Sequence, residues 1–406
     1  MSAQCAPILQ WCARVRCCRT RKLASYTCVG DPCYVKSISI LGTRGVPAQH
    51  GGFETFAERL AKHLTLHGWA VTVYCQSDGG GAIASDDWNG VRRVIVPAQH
   101  AGAFGTVAFD WRCVRHVVTE KPQIVLTLGY NTAVLNVLLK YAGLRNLINM
   151  DGVEWMRQKW SWPERLWLRL NERAGCWLGD HLVADHPCIA SHLERIVSKS
   201  KITMIPYGSD ATNVQPEKDL PVLQSLGLEP RGYALVIARP EPENSIFEIV
   251  SAFSRFKRHY KLVVLGHLDA QRNRYHAAVI SAASEEVAFL GAIYNGEVVS
   301  CLRANARLYV HGHRVGGTNP SLVEAMGAGC AVLARDNEFN RWVAGHGAAY
   351  FSDEDGCEKA LSALLGDEEK LHKMRANSRA RHEQRFTWPA ILDAYERLLT
   401  QWAVHR

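Results

Sequence analysis

Two glycine-rich stretches carry the residue types best suited to binding a charged ligand. The first covers residues 42–47 and resumes at 51–55, and the second covers residues 311–326. Each follows an apolar, strand-like run and opens a helix-like pattern. Glycine lets backbone N–H groups approach a ligand closely, and a helix N-terminus adds partial positive charge, so phosphate is a favoured ligand there. We therefore predict that both stretches bind substrate.

The spacing of these glycines excludes two common nucleotide sites. Neither stretch has the dinucleotide pattern G-x-G-x-x-G, and no acidic residue ends the second strand, where Tyr74, Cys75 and Gln76 stand. No Gly-Lys-Ser/Thr follows either stretch, which excludes a P-loop. A Rossmann dehydrogenase is therefore disfavoured. A tight strand–helix turn remains the alternative for the first stretch.

The second stretch ends in the start of a helix. Asn319 is a natural N-cap and Pro320 a natural first helical residue. The N–H groups of Ser321 and Leu322 are then expected to be free for a ligand. A ligand phosphate would be favoured at that helix end.

The second stretch also offers space for a ligand and a hydrogen-bond acceptor for its ribose. Gly316 and Gly317 leave space for a sugar ring and a diphosphate, and the Glu324 carboxylate could accept hydrogen bonds from ribose hydroxyls. An exposed helix residue is the alternative for Glu324. The predicted substrate-binding residues are Gly45, Gly51, Gly52, Glu54, Asn244, Gly316, Gly317, Thr318, Asn319, Ser321 and Leu322.

Three residues are candidates for catalysis: Asp151, Arg239 and Glu324. The Arg239 guanidinium, at the end of a strand, could bind a diphosphate bidentately and stabilise it as it leaves. A surface salt bridge to Glu241 or Glu243 is its alternative. Asp151 and Glu154 follow another strand end and could orient or deprotonate an acceptor hydroxyl. Their alternative is an N-cap and a helix-start carboxylate.

The elements that position these residues form an α/β pattern. Apolar runs alternate with amphipathic helical stretches from Val35 onward, which indicates parallel sheets covered by helices. The 406 residues suit two domains, and prolines and glycines at 206–230 mark the junction. We predict two Rossmann-like domains facing a central cleft, at residues 36–207 and 208–386. A last helix, 387–406, is expected to pack back on the N-terminal domain.

Composition excludes several classes of protein. The net charge is +8, of which the first 35 residues contribute +4, so the folded part is only mildly basic and gives no indication of nucleic-acid binding. No apolar run reaches the roughly 20 residues that span a bilayer. Residues 1–35 hold six of the 13 cysteines and lack a signal-peptide pattern. We expect a disordered tail there, reduced thiols and a cytoplasmic protein.

The two stretches together resemble a known family. Gly51-Gly52-Phe53-Glu54-Thr55, paired with residues 316–322 and Glu324, is similar to the retaining glycosyltransferases of the fourth family, which have the GT-B fold. Residues 42–47 and 151–155 resemble, more narrowly, a subgroup of bacterial β-1,4-rhamnosyltransferases of capsule and polysaccharide assembly. The resemblance runs from about Lys36 to Trp402.

The resemblance implies a division of labour between the domains. A nucleotide-diphosphate-sugar co-substrate, dTDP-rhamnose in the subgroup, would be held by the C-terminal domain, and a glycan or lipid-linked saccharide acceptor by the N-terminal domain. Transfer would retain the anomeric configuration without a cofactor or a metal ion. By position, Glu324 would bind ribose and Arg239 the diphosphate.

The sequence departs from the family's pattern at two positions. Gly316 stands where the first glutamate of the E-x7-E motif belongs, and Asn244 aligns loosely with a lysine. Arg314 or Lys159 could restore the missing positive charge. A nucleotide-sugar epimerase and a non-catalytic sugar-nucleotide-binding subunit therefore stay open as alternatives. The epimerase would act on the donor without an acceptor.

One helical stretch suggests an anionic membrane surface as a further partner. Residues 155–177 contain five tryptophans, and Arg165, Arg169 and Arg173 stand four residues apart on one helical face. Tryptophan and basic residues together suit a lipid interface, which would make the protein peripheral at the inner face of the cell membrane. The alternative is that three or four of the tryptophans fill the core of the N-terminal domain.

Overall fold

The computed structural model describes residues 35–49, 51–98, 102–157 and 159–404. Residues 36–406 form one compact unit that contains two sheets. The predicted tail lies, apart from Val35, outside the described residues. No helix in the described part of the chain is both long enough and apolar enough to cross a membrane.

The N-terminal sheet has eight strands in the described residues, in the order β3-β4-β2-β1-β5-β6-β7-β8. All neighbours are parallel except β3 and β4, which form an antiparallel edge. The central strands are apolar on both faces, as strands covered by helices on both sides must be. Their bounds are β1 Ser37–Leu41, β2 Ala70–Asp78, β3 Ala84–Trp88, β4 Val91–Ala98, β5 Ile124–Leu128, β6 Arg145–Asn149, β7 His181–Ala184 and β8 Ile202–Met204.

Helices cover both faces of this sheet. Phe56, Leu60 and Leu64 of α1 pack on Ile38 and Ile40 of β1, while α2 and α3 cover the opposite face. The spacing of the α1 residues is the helical periodicity that the sequence predicts. The helices are α1 Gly52–Leu66, α2 Gly102–Glu120, α3 Val137–Tyr141, α4 Trp162–Leu178 and α5 Pro187–Leu193.

The C-terminal sheet has six parallel strands in the described residues, in the order β11-β10-β9-β12-β13-β14. Its two faces are likewise covered by separate apolar clusters. The strands are β9 Tyr233–Ile237, β10 Lys261–Leu265, β11 Val287–Gly291, β12 Leu308–His311, β13 Val332–Arg335 and β14 Ala349–Phe351. The helices are α6 Pro216–Ser225, α7 Ile246–Ser254, α8 Arg274–Ser281, α9 Gly296–Asn305, α10 Pro320–Gly327, α11 Glu338–Ala344, α12 Glu354–Leu365, α13 Glu368–Arg385 and α14 Trp388–Val404.

The last helix, α14, packs on the N-terminal sheet. Trp388 and Tyr395 contact Phe56 of α1, with ring centroids 6.5 and 4.6 Å apart. The Tyr395 hydroxyl accepts a hydrogen bond of 2.8 Å from the Asn149 side chain at the end of β6. The predicted α/β architecture of two Rossmann-like domains is confirmed. In both sheets the loops that carry the predicted site residues follow the carboxyl ends of parallel strands, where ligands bind in such folds.

Candidate functional site

Four adjoining cavities follow one another across the molecule. We name them by one lining residue each: the Glu324 cavity, about 660 Å³; the Gly317 cavity, about 250 Å³; the Asp110 cavity, about 250 Å³; and the Glu54 cavity, about 1070 Å³. The first two share Arg239, and the middle two share Asp151. A ligand that extends along this row would therefore pass both residues.

The Gly317 cavity brings together Gly52 of the first glycine-rich stretch and four predicted residues of the second. Its wall comes from both domains, and a Cβ added at Gly52 would lie only 3.2 Å from Pro320 Cγ. The two stretches are thus in contact across the cleft. Predicted site residues lining this cavity are Gly52, Asp151, Arg239, Asn244, Gly316, Gly317, Thr318 and Asn319.

Asp185, which the sequence reasoning missed, holds the second glycine stretch from the other domain. Its Oδ2 accepts a 2.8 Å hydrogen bond from the Thr318 backbone N–H, and its carbonyl accepts one from the Thr318 hydroxyl. A Cβ at Gly317 would lie 2.1 Å from Asp185 Oδ1. Gly317 is therefore needed for this close approach. The position of Asp185 directly after β7 is the signal that could have revealed it.

The Asp185 carboxyl is unusual in its protonation. Burial and then the negative charge of Asp151 raise its pKa to about 7. Its Oδ1 has no hydrogen-bond partner among the described residues. Near neutral pH this group is therefore partly protonated, and it can face an anionic ligand at less electrostatic cost than an ordinary carboxylate.

Positive charge reaches the Gly317 cavity from both domains. Arg239 comes from the C-terminal domain, and the carbonyl oxygen of its peptide accepts a 2.8 Å hydrogen bond from the Asn244 side chain. Arg157, a second residue missed from sequence, comes from the N-terminal domain. It pairs with Glu154 at 2.7 Å and with Glu243 at 3.5 Å. Arg157 thus brings a second guanidinium to the cavity that Asn244, the residue aligned loosely with the family's lysine, also lines.

The two cations suggested as replacements for that lysine lie elsewhere. Arg314 pairs with Glu248 and donates to Ser245 Oγ, so it is held away from the cavity wall. The Lys159 ammonium lies over the Trp160 ring, 4.4 Å from its centroid. Burial and the charges of Arg239 and Arg157 lower the pKa of Lys159, against the opposing effect of Glu154. It is a neighbour of the cation pair and does not line the Gly317 cavity.

His313 is a further polar group that the sequence reasoning missed. It lines both the Glu324 and the Gly317 cavities and stacks on His311 with ring centroids 4.3 Å apart. Burial and then the positive charges of Arg157 and Arg239 lower its pKa to about 3. The ring is therefore neutral and can serve as a hydrogen-bond partner for a ligand.

The start of α10 differs from the expectation in one respect. Asn319 is the N-cap, as predicted, and Pro320 is the first helical residue. The N–H of Ser321 is however bonded to the Asn319 side chain at 3.0 Å, and that of Leu322 to the Asn319 carbonyl at 3.1 Å. The expectation that both N–H groups are free was wrong, because the cap itself uses them. Leu322 is fully buried in the core and lines none of the four cavities.

Glu324 lies on the wall of the Glu324 cavity with Ser321 and Gly51. It is neither isolated nor a plain surface residue, since Arg303 forms an ion pair of 2.5 Å with its Oε2. The Arg303 side chain is only 11% exposed. One carboxylate oxygen is thereby oriented, and the other is left for a ligand hydroxyl. The predicted ribose contact is compatible with this geometry and stays a prediction.

Asp151 occupies the junction between the Gly317 and Asp110 cavities. It adopts a left-handed backbone conformation with φ of 50°, and its N–H donates to the Asn149 side chain at 3.0 Å. A residue held in this region is strained, which is a feature common at functional sites. Glu154, by contrast, is buried and paired with Arg157. Burial, then the charge of Asp151, raises the pKa of Glu154.

The first glycine stretch forms a wall on the N-terminal side. A Cβ at Gly42 would lie 2.1 Å from the Leu128 carbonyl oxygen, and φ at Gly42 is 80°, so only glycine fits the turn. Gly45 and Glu54 line the Glu54 cavity and do not reach the Gly317 cavity. The Glu54 carboxylate accepts a 3.1 Å hydrogen bond from the Gln49 N–H. The predicted residues of this stretch therefore divide between the Glu54 cavity and the Glu324 cavity at the other end of the row, which Gly51 and Gly52 line.

Asp110 is a half-buried acid in this second half of the row. Its Oδ2 accepts a 2.7 Å hydrogen bond from Thr132. Burial raises its pKa to about 6, against the effect of that hydrogen bond. The sequence reasoning missed it because it lies inside α2, whose spacing shows no sign of a site.

The tryptophans of residues 155–177 do not fill the core of the N-terminal domain, which was the alternative to a membrane contact. Trp162, Trp167 and Trp177 are 76%, 43% and 62% exposed, so that interpretation was wrong. Leu166 and Leu170 are exposed beside them. The exposed face of α4 is therefore apolar at its centre. An apolar face of this kind is typical of an interaction surface.

One Asp-x-Asp sequence, the arrangement that often holds a divalent cation in transferases, lies outside this site. Asp353 caps α12 by accepting a hydrogen bond from the Gly356 N–H at 2.7 Å. Asp355 pairs with Arg255 at 2.5 Å. Neither lines the four cavities.

Two family models match the chain, one for each half. Residues 35–210 match a domain of unknown function, DUF1972, and residues 224–381 match the glycosyl transferases group 1 family. The latter match contains Arg239, the second glycine stretch and Glu324. It supports glycosyltransferase function for the chain. No curated protein sequence matches the chain.

Several solved structures have the same architecture over nearly their full length. Sucrose-phosphate synthase from Thermosynechococcus elongatus has a TM-score of 0.77 at 18% identity, covering 90% of this chain and 98% of that one. Anabaena HepE, in complex with UDP and glucose, has a TM-score of 0.71 at 14% identity, covering 91% and 100%. The catalytic domain of starch synthase IV from Arabidopsis thaliana, bound to ADP and acarbose, has 0.69 at 16%, covering 91% and 100%. At these identities the similarity shows the shared fold.

Proposed function

We propose that the chain, whose residues 224–381 match the glycosyl transferases group 1 family, transfers a sugar from a nucleotide-diphosphate donor to a saccharide acceptor. The observation that carries the proposal is the cation pair in the Gly317 cavity. Arg157 and Arg239 approach from opposite domains beside the glycine stretch 316–318. That arrangement matches a diphosphate held between two domains.

The donor would lie across two of the cavities. Its nucleoside would occupy the Glu324 cavity, where Glu324 can accept a hydrogen bond from a sugar hydroxyl of the nucleoside. Its diphosphate and transferred sugar would occupy the Gly317 cavity. Charge developing on the leaving diphosphate would be stabilised by Arg239 and Arg157, without a metal ion. The nucleotides named with solved relatives, UDP and ADP, are compatible with this placement.

The acceptor would enter from the N-terminal side. Asp151, at the junction of the Gly317 and Asp110 cavities, is placed to orient or deprotonate an acceptor hydroxyl. The Glu54 cavity has room for further sugar units of a growing glycan. We take rhamnose from dTDP-rhamnose as the transferred sugar, with retention of configuration, on the resemblance to bacterial rhamnosyltransferases of polysaccharide assembly.

A thermal-shift screen against dTDP-, UDP- and GDP-sugars tests the donor. A ligand that binds the native state must raise the melting temperature. We expect the largest rise with dTDP-rhamnose. A rise with another nucleotide sugar alone would replace the donor, and no rise with any of them would contradict the transferase proposal. Incubating the donor without an acceptor separates transfer from epimerisation, since only an epimerase would convert it.

The exposed face of α4 supports a lipid-linked acceptor. Trp162, Leu170 and Trp177 are more than half exposed, and Arg165, Arg169 and Arg173 are exposed along one edge of the same helix. Tryptophan at the level of the headgroups and arginine beside anionic lipid are the elements of an interfacial helix. We place the protein at the inner face of the cell membrane. Glu164, in the first turn of α4, lines the Glu54 cavity, so docking of this helix would bring that cavity next to the lipid.

Flotation with anionic and zwitterionic vesicles tests the membrane contact. The variant Arg165/Arg169/Arg173→Ala should lose most of its binding to anionic vesicles. A matched variant, Lys218/Lys257/Lys370→Ala, removes the same charge from exposed positions in the C-terminal domain and should bind like the wild type. Equal binding of all three proteins would contradict the contact.

A further inference from the structure

Two histidines and one glutamate converge where α14 packs on α1, away from the cavities. His63 lies in the last turn of α1, His67 follows directly after the end of that helix, and Glu396 lies on α14. Ligand atoms of the three side chains all lie within 4.8 Å of one another. His63 Nε2 is 2.9 Å from Glu396 Oε2, and His67 Nδ1 contacts the same oxygen.

The distances between these ligand atoms are close to those of a metal site. Both imidazole nitrogens lie against one carboxylate oxygen, which can accept two hydrogen bonds and can equally be one ligand of an ion that the two nitrogens share. Zinc lies about 2.0–2.2 Å from imidazole nitrogen and carboxylate oxygen, so its ligand atoms are about 3.3 Å apart in a tetrahedral site. The atoms observed here need only small rotations to reach that arrangement.

A fourth ligand is within reach. Asp393 stands one turn before Glu396 on α14, with its Oδ1 3.7 Å from His63 Nε2. The side chains of His63 and Glu396 are 14% and 21% exposed, whereas those of His67 and Asp393 are about half exposed. The group is therefore partly shielded from water yet open to an ion from solution.

We propose that His63, His67, Glu396 and Asp393 bind a divalent transition-metal ion of the zinc class. Two imidazoles with carboxylates are the donor set such ions accept. The ion would fasten α14, which follows the C-terminal domain in the chain, to the first helix of the N-terminal domain. His63 lies about 16 Å along α1 from Gly52, at 1.5 Å of rise per residue. The site is therefore structural, and it does not depend on the proposed transferase function.

Zinc titration of the full chain after chelation tests the site. With Zn²⁺ in about hundredfold excess over its dissociation constant, the wild-type melting temperature should rise by about 4 °C. In His67→Ala and Glu396→Gln the zinc-dependent rise should be lost, and calorimetric affinity should fall more than about tenfold. Because Glu396→Gln keeps the shape of the side chain, its effect is not due to lost packing. His372→Ala, at an exposed position on α13, should respond like the wild type.

Two results would overturn the proposal. One is a wild-type protein whose melting temperature and calorimetric trace do not respond to Zn²⁺, which would leave a purely hydrogen-bonded group. The other is an unchanged zinc response in both variants, which would place the bound ion on other residues. Donor binding measured with and without chelator should be the same, so that a failure of this proposal is separate from a failure of the transferase proposal.

Discussion

The two glycine-rich stretches look alike in sequence but are held by different parts of the molecule. The first is fixed within its own domain, where Gly42 packs against the Leu128 carbonyl. The second is fixed from the opposite domain, where the Asp185 carboxylate accepts from the Thr318 N–H. Residues 42–47 of the first stretch are thus a fixed wall on the acceptor side. The second lines the donor cavity and also bonds the opposite domain, so a ligand bound there would touch residues that hold the two domains together.

The charges on the two sides differ as well. The N-terminal side presents the acids Asp151, Asp185 and Asp110, of which two have raised pKa values because they are buried. The C-terminal side presents Arg239, with Arg157 reaching across to it. An acidic acceptor side suits handling of a proton, and a basic donor side suits a diphosphate. The following variants test this contrast.

The largest effect is expected for Asp151→Asn on the acid side. If Asp151 takes part in proton transfer, kcat should fall by about 10²–10⁴-fold. Donor affinity, measured by calorimetry, should stay near that of the wild type because the nucleotide diphosphate is bound by the basic side. Turnover close to wild type would remove Asp151 from the mechanism.

Arg239→Ala should be the next most damaging change. Loss of a preorganised charge at the leaving group should lower kcat by about 10²–10³-fold, and donor binding should weaken too. The matched control is Arg272→Ala, whose side chain is 89% exposed. It should keep wild-type turnover. If both variants behaved alike, the diphosphate would lie elsewhere.

Gly317→Ala tests the contact between the domains. Its new methyl group would collide with Asp185, and such overpacking costs about 1–3 kcal/mol of unfolding free energy. The double variant Gly317→Ala with Asp185→Ala should regain most of that loss, since the collision is relieved. A double-mutant cycle from denaturant unfolding measures the coupling. Additive effects would show that the two residues are not in contact.

The smallest effect is a dependence on pH. The folded pKa of Asp185, about 7, lies above its ordinary 3.8, so the folded state binds more protons between these values. The free energy of unfolding should therefore fall as pH rises from about 4 to 7, and Asp185→Asn should flatten that slope. Above pH 7 the charged carboxylate should weaken nucleotide binding severalfold more in the wild type than in the variant. Identical pH profiles would exclude Asp185 as their cause.

Much of the fold follows from the sequence because it is encoded locally. Strand and helix periodicity indicated two parallel α/β layers, and the residues Asn319 and Pro320 marked the start of α10, where the structure has it. The apolar face of the last helix likewise indicated its packing. These are properties of residues close in the chain, which propensity and capping determine.

The contacts that the site residues make could not be predicted from local sequence patterns. Asp185 meets Thr318, Arg157 meets Glu243 and Glu324 meets Arg303 only after the chain has folded. No spacing in the sequence links these pairs, since each depends on which loops the topology brings to the cleft. The exposed tryptophans of α4 are a related case. Their number suggested a core, but the buried side of that helix is formed instead by Leu168, Asn171, Glu172, Gly175 and Cys176.

The central claim is that a nucleotide diphosphate is bound by both domains at once. Calorimetric titration of the nucleoside diphosphate dTDP into wild type, Arg157→Ala and Arg239→Ala tests it directly. Removing either charge-assisted contact should weaken binding by about 10–100-fold, with Arg272→Ala unchanged. Wild-type affinity in Arg157→Ala, beside a loss in Arg239→Ala, would contradict the claim, because the diphosphate would then be held by the C-terminal domain alone.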